Sequence, residues 1–320
     1  AGDWVDDFME GQGEIKWVDG HIYRGQIKQN KRHGEGKMKY TNGDEYIGEF
    51  IDNVKEGHGM IYYGNGDFYK GDFVGNRRVG LGRMKFFNTN EFIGTWENDQ
   101  PVKGEFTWSN NDVYEGDFKE GIIEGKGTFT PSDPKGNNYT GEWKQGKYWG
   151  SGTLRMANGN VYYGDFVDNM RHGNGRFVYS KPFGDVYSGT WVNDTMEGSG
   201  RFNYANGSWY QGELHDGVIH GLGKFQYANG DVYDGHWAHH CKNGPGKLTF
   251  QNGDSQEGHW QDDQMHGTGT YSYRDGDIYR GSWKDGLKSG HGTFSSTSKN
   301  EKYSGDYWKD QMHGNGVFSF

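Results

Sequence analysis

Aromatic residues, glycines and polar residues alternate along the chain in a unit that most often recurs every 23 residues. One copy reads Tyr46-x-Gly48-x-Phe50, and Gly57-x-Gly59 follows it, with an apolar residue two positions later. Every second residue of a strand points to the same face of a sheet, so the aromatic residues and the glycines of each segment share a face. Each unit therefore predicts a two-stranded antiparallel hairpin, and the whole chain predicts an all-β fold.

The register predicts thirteen full repeats over residues 23–320, preceded by an N-terminal half repeat over residues 1–22. Parity favours a pairing in which the Trp or Phe of a repeat faces the first glycine of Gly-x-Gly in the same hairpin. Turn signals such as Asn42-Gly43 separate the repeats, and a three-residue loop with a left-handed glycine would pair Tyr40 with Tyr46. Stacked in this way, the repeats form an elongated single-sheet solenoid of antiparallel β-hairpins in one continuous domain.

Composition changes the expected core. The chain has 57 Gly, 5 Pro and 17% aromatic residues, although hydrophobic residues reach only 31%. Burial must therefore come from Tyr, Phe and Trp packed over open glycine backbone, and the aromatic content argues against disorder. A net charge of −10 opposes generic attraction to nucleic acid and to anionic lipid. Cys241 is the single cysteine, which excludes an internal disulfide and suits a reducing, cytoplasmic compartment.

The motif set closely resembles the MORN repeat (membrane occupation and recognition nexus). The resemblance depends on Tyr-x-Gly-x-Trp, on an Arg-His-Gly-x-Gly such as 32–36 or 171–175, and on Asn-Gly-Asp, and it covers about residues 4–320. It implies a continuous sheet of hairpins with an aromatic groove. The chain looks most like the members that are repeats throughout, which serve as cytoskeletal or ciliary scaffolds.

No motif predicts chemistry. The recurring Gly-x-Gly lacks the strand, turn and helix that a nucleotide site needs. Histidines such as His33 and His172 precede the first glycine once per repeat, too far apart to share an ion, and His239-His240-Cys241 lacks a fourth ligand. Acidic residues such as Glu49 are expected in a charge ladder with cations such as Lys37. We therefore predict a non-enzymatic protein with no catalytic residue, cofactor or metal.

The aromatic face is the candidate partner site, because a single sheet has no second layer to cover it. An amphipathic helix of a protein partner is the favoured occupant. In the alternative, neighbouring repeats bury these rings against one another. A partner contact is also expected to differ where Val102 replaces a repeat Gly and where Gln256 replaces the Tyr. The predicted groove comprises Tyr114, Phe118, Tyr139, Trp143, Tyr162, Phe166, Tyr187, Trp191, Tyr210, Tyr233 and Trp237.

Three other hypotheses stay open. Anionic phospholipid is an alternative ligand, disfavoured by the net charge, and its candidate loops hold Lys28, Lys31, Arg32, Arg77 and Arg78. A regulatory segment of a larger enzyme is another alternative. An end-to-end homodimer would use a C-terminal strand edge that comprises Tyr303, Tyr307, Phe318 and Phe320. Nucleic acid is not expected as a partner.

Overall fold

The computed structural model describes residues 2–182 and 184–320, in two compact units that span Ala1–Ala157 and Asn158–Phe320. Each unit consists of antiparallel strands that pair in sequence order, and no helix occurs among the described residues. Accordingly, none of these residues forms a helix long and apolar enough to cross a membrane. The predicted fold class, an all-β single-sheet solenoid of antiparallel hairpins, is confirmed.

Among its described residues, the first unit contains fourteen strands. They are β1 (Gly2–Val5), β2 (Phe8–Lys16), β3 (Ile22–Lys28), β4 (Lys31–Lys39), β5 (Glu45–Ile51), β6 (Val54–Tyr62), β7 (Phe68–Val74), β8 (Arg77–Lys85), β9 (Glu91–Glu97), β10 (Gln100–Thr107), β11 (Val113–Lys119), β12 (Ile122–Thr130), β13 (Asn138–Lys144) and β14 (Lys147–Arg155).

In the part of the chain that the structure describes, the second unit contains another fourteen strands. They are β15 (Val161–Val167), β16 (Met170–Val178), β17 (Val186–Val192), β18 (Thr195–Asn203), β19 (Trp209–His215), β20 (Val218–Gln226), β21 (Val232–Ala238), β22 (Cys241–Thr249), β23 (Ser255–Gln261), β24 (Gln264–Ser272), β25 (Ile278–Lys284), β26 (Leu287–Ser296), β27 (Glu301–Trp308) and β28 (Gln311–Ser319).

Two turn types alternate. Within a repeat, a two-residue turn such as Asp52-Asn53 has positive φ at both positions, as a type I′ turn requires. Between repeats, a three-residue loop ends on a glycine with positive φ, such as Gly43 at 94°. The predicted loop length is therefore correct. The pairing predicted with it is wrong, because the loop closes on Tyr40 opposite Asp44, and Tyr46 consequently faces Met38.

A β-bulge sits at the first glycine of each Gly-x-Gly. In the hairpin of β5 and β6, Gly48 pairs with Gly59 and Phe50 pairs with Lys55, so three residues of β6 oppose one of β5. Gly57 lies in this bulge at a φ of 66°, in the left-handed region that favours glycine. The predicted pairing of Phe50 with the first glycine of its own hairpin is therefore wrong. That ring instead lies opposite Gly34 of the preceding repeat, because the bulge shifts the register.

The tyrosine that opens most repeats covers a pair of glycines. A Cβ atom on Gly59 would come within 2.6 Å of Cε2 and the hydroxyl of Tyr46, and one on Gly48 would meet the same hydroxyl at 2.6 Å. The hydroxyl donates a 3.0 Å hydrogen bond to the carbonyl oxygen of Glu49, which lies at the bulge. Glycine is thus required under the ring, and the ring's polar atom has a partner inside its own strand.

Side chains in the loops between repeats, and in the turns within them, join each repeat to the next. At one edge, the carboxylate of Asp44 accepts a 2.8 Å hydrogen bond from the backbone N–H of Gly64 in the next loop. At the other, the N–H of Lys55 donates a 2.9 Å bond to the side-chain oxygen of Asn76 in the next turn. These recurring bonds satisfy backbone groups that the strand ladder leaves free, so each loop is held by its neighbour.

Candidate functional site

The eleven aromatic side chains predicted to line a groove are core residues. All of them are buried, with at most 9% of any one exposed. Tyr46 shows why: its ring meets Phe50 of its own repeat at 5.0 Å and Phe73 of the next at 5.2 Å, both edge to face. The same contacts recur along the row, for example from Tyr114 and from Tyr233. The prediction that these rings are exposed is wrong. Each ring is covered by its neighbours, as the alternative interpretation held.

A row of cations covers much of this aromatic layer. The guanidinium of Arg171 lies 4.3 Å from the centre of the Trp191 ring, and its nitrogens donate to Asp194 at 2.8 Å and 2.9 Å. Arg78 repeats the arrangement, 4.4 Å from the ring of Trp96. Lysines take this position in other repeats, and burial lowers the pKa of one of them, Lys55. The cations therefore contribute to packing as well as to charge.

Two repeats lack the tyrosine: Phe92 covers the glycines in one of them, and the other has a compensating side chain. Gln256 stands in the tyrosine position, and Met265 takes the position that a cation holds in several other repeats. Met265 is fully buried, and a Cβ atom on Gly258 would come within 3.0 Å of its terminal methyl. The methionine thus covers the glycine pair in place of the missing ring.

Small hollows open on the aromatic face at both departures from the repeat. One, of about 330 Å³, is lined by Trp96, Phe106 and Pro101, the residue directly before Val102 in the chain. The other, of about 260 Å³, is lined by Gln256 and Met265. That a partner contact differs at these two places stays a prediction.

The face opposite the aromatic layer is open and grooved. In the first unit a groove of about 930 Å³ has the backbone of paired glycines as its floor, and its walls include Leu81, Lys126 and Glu142. In the second unit a groove of about 1090 Å³ has the same kind of floor, and its walls include Leu222 and His259. Leu81 and Leu222 each stand between the two glycines of a Gly-x-Gly and are 73% and 53% exposed.

Among the described residues, the charge ladder predicted on this face forms only in part. Lys37 pairs with Glu45 at 2.8 Å rather than with Glu49. The carboxylate of Asp117 instead accepts a 3.1 Å hydrogen bond from the backbone N–H of Lys126, which the bulge releases from the strand ladder. Some of the carboxylates also meet cations, as Asp117 meets Lys103 at 3.8 Å. The main contribution of these carboxylates is thus to stabilise the bulge.

The five basic residues proposed for phospholipid are only partly free. Arg32 lies 5.2 Å from the centre of the Phe50 ring and donates to the carbonyl oxygen of Asn53 at 2.8 Å. Arg78 is held in the same way, and Arg77 donates to the side-chain oxygen of Asn98 at 3.2 Å. Lys31 lies 3.5 Å from Asp52, and Lys28 is exposed at the end of β3. The guanidinium groups of Arg32 and Arg78 therefore already pack on rings of the aromatic core.

The four residues predicted for an end-to-end contact fall into two classes. Tyr303 and Tyr307 are buried, at 8% and 5% exposure, and belong to the aromatic row. Phe318 and Phe320 are 45% and 88% exposed. Strand β28, which holds Phe318, pairs with β27.

Three histidines from two successive repeats lie close together on the turn edge of the second unit. His215 ends β19, and its Nδ1 lies 2.8 Å from a carboxylate oxygen of Glu197. The ring of His220 is centred 6.4 Å from the ring of His215 and 5.8 Å from that of His239. Glu197 and Asp216 hold the pKa of His215 above its usual value, with the Glu197 contact the larger cause. The sequence alone did not predict this cluster, because only His239, His240 and Cys241 are adjacent in the chain.

Fold and faces together define a class: a β-hairpin repeat protein with an aromatic core and an open, grooved face. The MORN repeat model matches fourteen consecutive segments, from 1–22, 23–45 and 46–68 through to 279–301 and 303–320. The chain belongs to the MORN repeat family.

Comparison with solved structures gives only distant likenesses. The chain is 11% identical to the TCP10 domain of Danio rerio CPAP, covering 77% of this chain and 94% of that one at a TM-score of 0.23. It is 19% identical to the TCP10c domain of Drosophila melanogaster Sas-4, covering 53% and 93% at a TM-score of 0.27. TM-scores this low support no inference about function. No curated protein matches the chain.

Proposed function

We propose that this chain is a non-catalytic scaffold that binds protein partners on its grooved face. The observation behind the proposal is that each unit has a glycine-floored groove with an exposed leucine on its wall. The aromatic face, with its buried rings, is the source of rigidity rather than the contact surface. A scaffold needs such a rigid frame, because a site held in one shape loses little entropy on binding.

The shape and chemistry of the grooves favour an amphipathic segment of a protein. Each repeat adds two strands, about 9.6 Å across the sheet, which is close to the 10–12 Å diameter of a helix with its side chains. Leu81 offers an apolar contact, and neighbours such as Lys126 and Glu142 offer charged and hydrogen-bonding groups. An amphipathic helix presents that combination of apolar and polar contacts.

We place this scaffold in a cytoskeletal or ciliary assembly. The support is the resemblance to MORN members that consist of repeats throughout. A linear array of similar sites suits that setting, because partners bound to successive repeats are held at regular spacing.

Substitutions in the grooves test the proposal. Leu81→Asp and Leu222→Asp each place a charge where an apolar contact is expected, and both side chains are exposed enough for the fold to tolerate the change. We expect partners quantified by affinity purification from cells to fall at least about tenfold, which corresponds to about 1.4 kcal/mol.

Val74→Asp and Val192→Asp are matched controls, because both valines are exposed strand residues outside the grooves. We expect these variants to retain the partners of the unmodified chain. Circular dichroism should show the same melting temperature for all four. Groove variants that keep their partners would contradict the proposed face.

Anionic phospholipid is the second candidate. Lys28 and Lys31 are exposed and offer the charge that such binding needs. Sedimentation with vesicles of phosphatidylserine at low salt tests it: binding lost in Lys28→Ala/Lys31→Ala would support lipid recognition, and no binding by the unmodified chain would exclude it.

Self-association through β28 is a separate proposal. The exposed rings of Phe318 and Phe320 favour it. Light scattering at rising concentration tests it: a mass that doubles, and that Phe318→Ser/Phe320→Ser returns to one chain, supports a dimer. A mass that stays at one chain argues against it.

A further inference from the structure

We propose that Glu197, His215, Asp216, His220 and His239 form a binding site for a divalent transition metal such as Zn²⁺, on the turn edge of the second unit. Three successive repeats contribute to it: β18, the hairpin of β19 and β20, and the turn after β21. The proposed site is independent of the grooves and lies outside the aromatic core.

The repeat geometry explains why these residues meet. A side chain just before the first glycine of Gly-x-Gly reaches the next turn, as Glu124 does when it accepts a 2.8 Å hydrogen bond from the N–H of Gln145. Glu197 does the same with the N–H of Asp216, at 2.9 Å. One repeat later His220 occupies this position. Its ring approaches that of His239, which is the first residue of the next turn. This position therefore brings together two pairs of potential metal-binding side chains, one at each of two successive turns.

His215 lies between these two pairs of side chains. It ends β19 directly before the turn, a position that the other repeats fill with residues such as Val74, Lys144 and Ala238. Its ring lies between Glu197 of the preceding repeat and His220 of its own. This combination brings two carboxylates and three imidazoles to one edge.

Distances within the cluster suit a metal ion. The carboxylate of Glu197 binds Nδ1 of His215, which leaves Nε2 as the lone-pair donor, an arrangement common around metal-bound histidines. That Nε2 lies 3.7 Å from a carboxylate oxygen of Asp216. Two ligands each about 2.1 Å from one ion at a tetrahedral angle are about 3.4 Å apart. The ion would therefore bind between Nε2 and this oxygen with little movement.

His220 and His239 complete the set. Two imidazoles on one tetrahedral ion have ring centres roughly 5.2 Å apart, from metal–nitrogen bonds of about 2.0–2.1 Å. The observed separations of 6.4 Å and 5.8 Å are slightly larger. All three histidines are exposed, so side-chain rotation can close the difference. Mixed imidazole and carboxylate ligands favour borderline ions such as Zn²⁺ and Co²⁺ over Mg²⁺ or Ca²⁺.

Titration of the full chain with ZnCl₂ by calorimetry, and with Co²⁺ by visible absorption, tests the site. We expect saturable binding of one ion per chain, with Co²⁺ absorption typical of four-coordinate geometry. His215→Asn and His220→Asn should each weaken binding at least about tenfold, the scale seen when ligands or their supporting residues are lost.

Two controls separate this site from other donors. His266 also precedes a first glycine and lies 4.0 Å from Asp285, but the structure describes no second histidine ring against it, so His266→Asn should bind Zn²⁺ as the unmodified chain does. Cys241→Ser should do the same, which excludes the thiol. No saturable binding up to about 1 mM Zn²⁺, or binding unchanged in His215→Asn and His220→Asn, would overturn the proposal. Partner binding through the grooves is measured without metal and is unaffected by either result.

Discussion

Exchanging the side chain that covers one glycine pair tests how the core is built. In the repeat of β23 and β24, Met265 covers Gly258 and Gly269 while Gln256 stands in the tyrosine position. Gln256→Tyr introduces a ring into the space that the Met265 methyl fills. We expect this substitution to destabilise the repeat by about 1–3 kcal/mol, the usual cost of overpacking.

A second substitution should restore the arrangement of the preceding repeat. There Tyr233 covers the glycine pair, and Lys242 lies 5.7 Å from the centre of its ring and 4.7 Å from that of Trp260. Met265→Lys alone removes the methyl cover and should cost about 2–4 kcal/mol. The double variant Gln256→Tyr/Met265→Lys should be more stable than either single variant, with a coupling energy of at least about 2 kcal/mol.

Hydrogen exchange measured by mass spectrometry over residues 255–272 is the suitable assay, because repeat arrays unfold locally and one global free energy hides the effect. A coupling of about 2 kcal/mol corresponds to about a thirtyfold change in amide protection. Gln251→Tyr, in the exposed loop before β23, is the control and should leave protection unchanged. A neutral Gln256→Tyr, or a double variant less protected than both single variants, would refute the assignment of Met265 as a substitute for the ring.

Three further predictions follow from the same packing. Gly152→Ala should destabilise by about 1–3 kcal/mol in urea unfolding because a Cβ would overlap the Tyr139 ring, whereas Gly146→Asn, in a turn with positive φ and open space, should stay within about 0.5 kcal/mol. Arg171→Ala should lower the melting temperature more than Arg171→Met, because only the methionine keeps apolar cover over the rings. Burial raises the pKa of Tyr23 to about 12, so its contribution to stability should be complete below pH 10 and lost as the pH rises through 12, which alkaline unfolding followed by circular dichroism will show.

Periodicity predicts the strands, the repeat register and the sharing of faces. Residues such as Tyr46 and Gly48 fall on the expected face because alternation in a strand has a fixed period of two. The three-residue loops are equally predictable, since Gly43 supplies the left-handed conformation that such a loop needs.

Pairing across the hairpin was not predictable from parity. The bulge at Gly57 keeps the alternation within each strand but shifts which residues oppose each other, so Phe50 meets Lys55. The sequence allowed both exposed and mutually buried rings, because burial depends on contacts such as that between Tyr46 and Phe73 of different repeats. The histidine cluster escaped for the same reason: its members become neighbours only when successive turns align at the edge of the sheet.

The most direct test of a partner-binding grooved face is photo-cross-linking in living cells. A photoreactive amino acid at Leu81 or at Leu222 lies in a groove, whereas one at Val74 or at Val192 is exposed elsewhere on a strand. We expect discrete protein adducts from the two groove positions, recovered with the same partners in repeated experiments, and none of these adducts from the two valine positions. Equal adducts from all four positions, or none from the grooves while partners still co-purify, would contradict it.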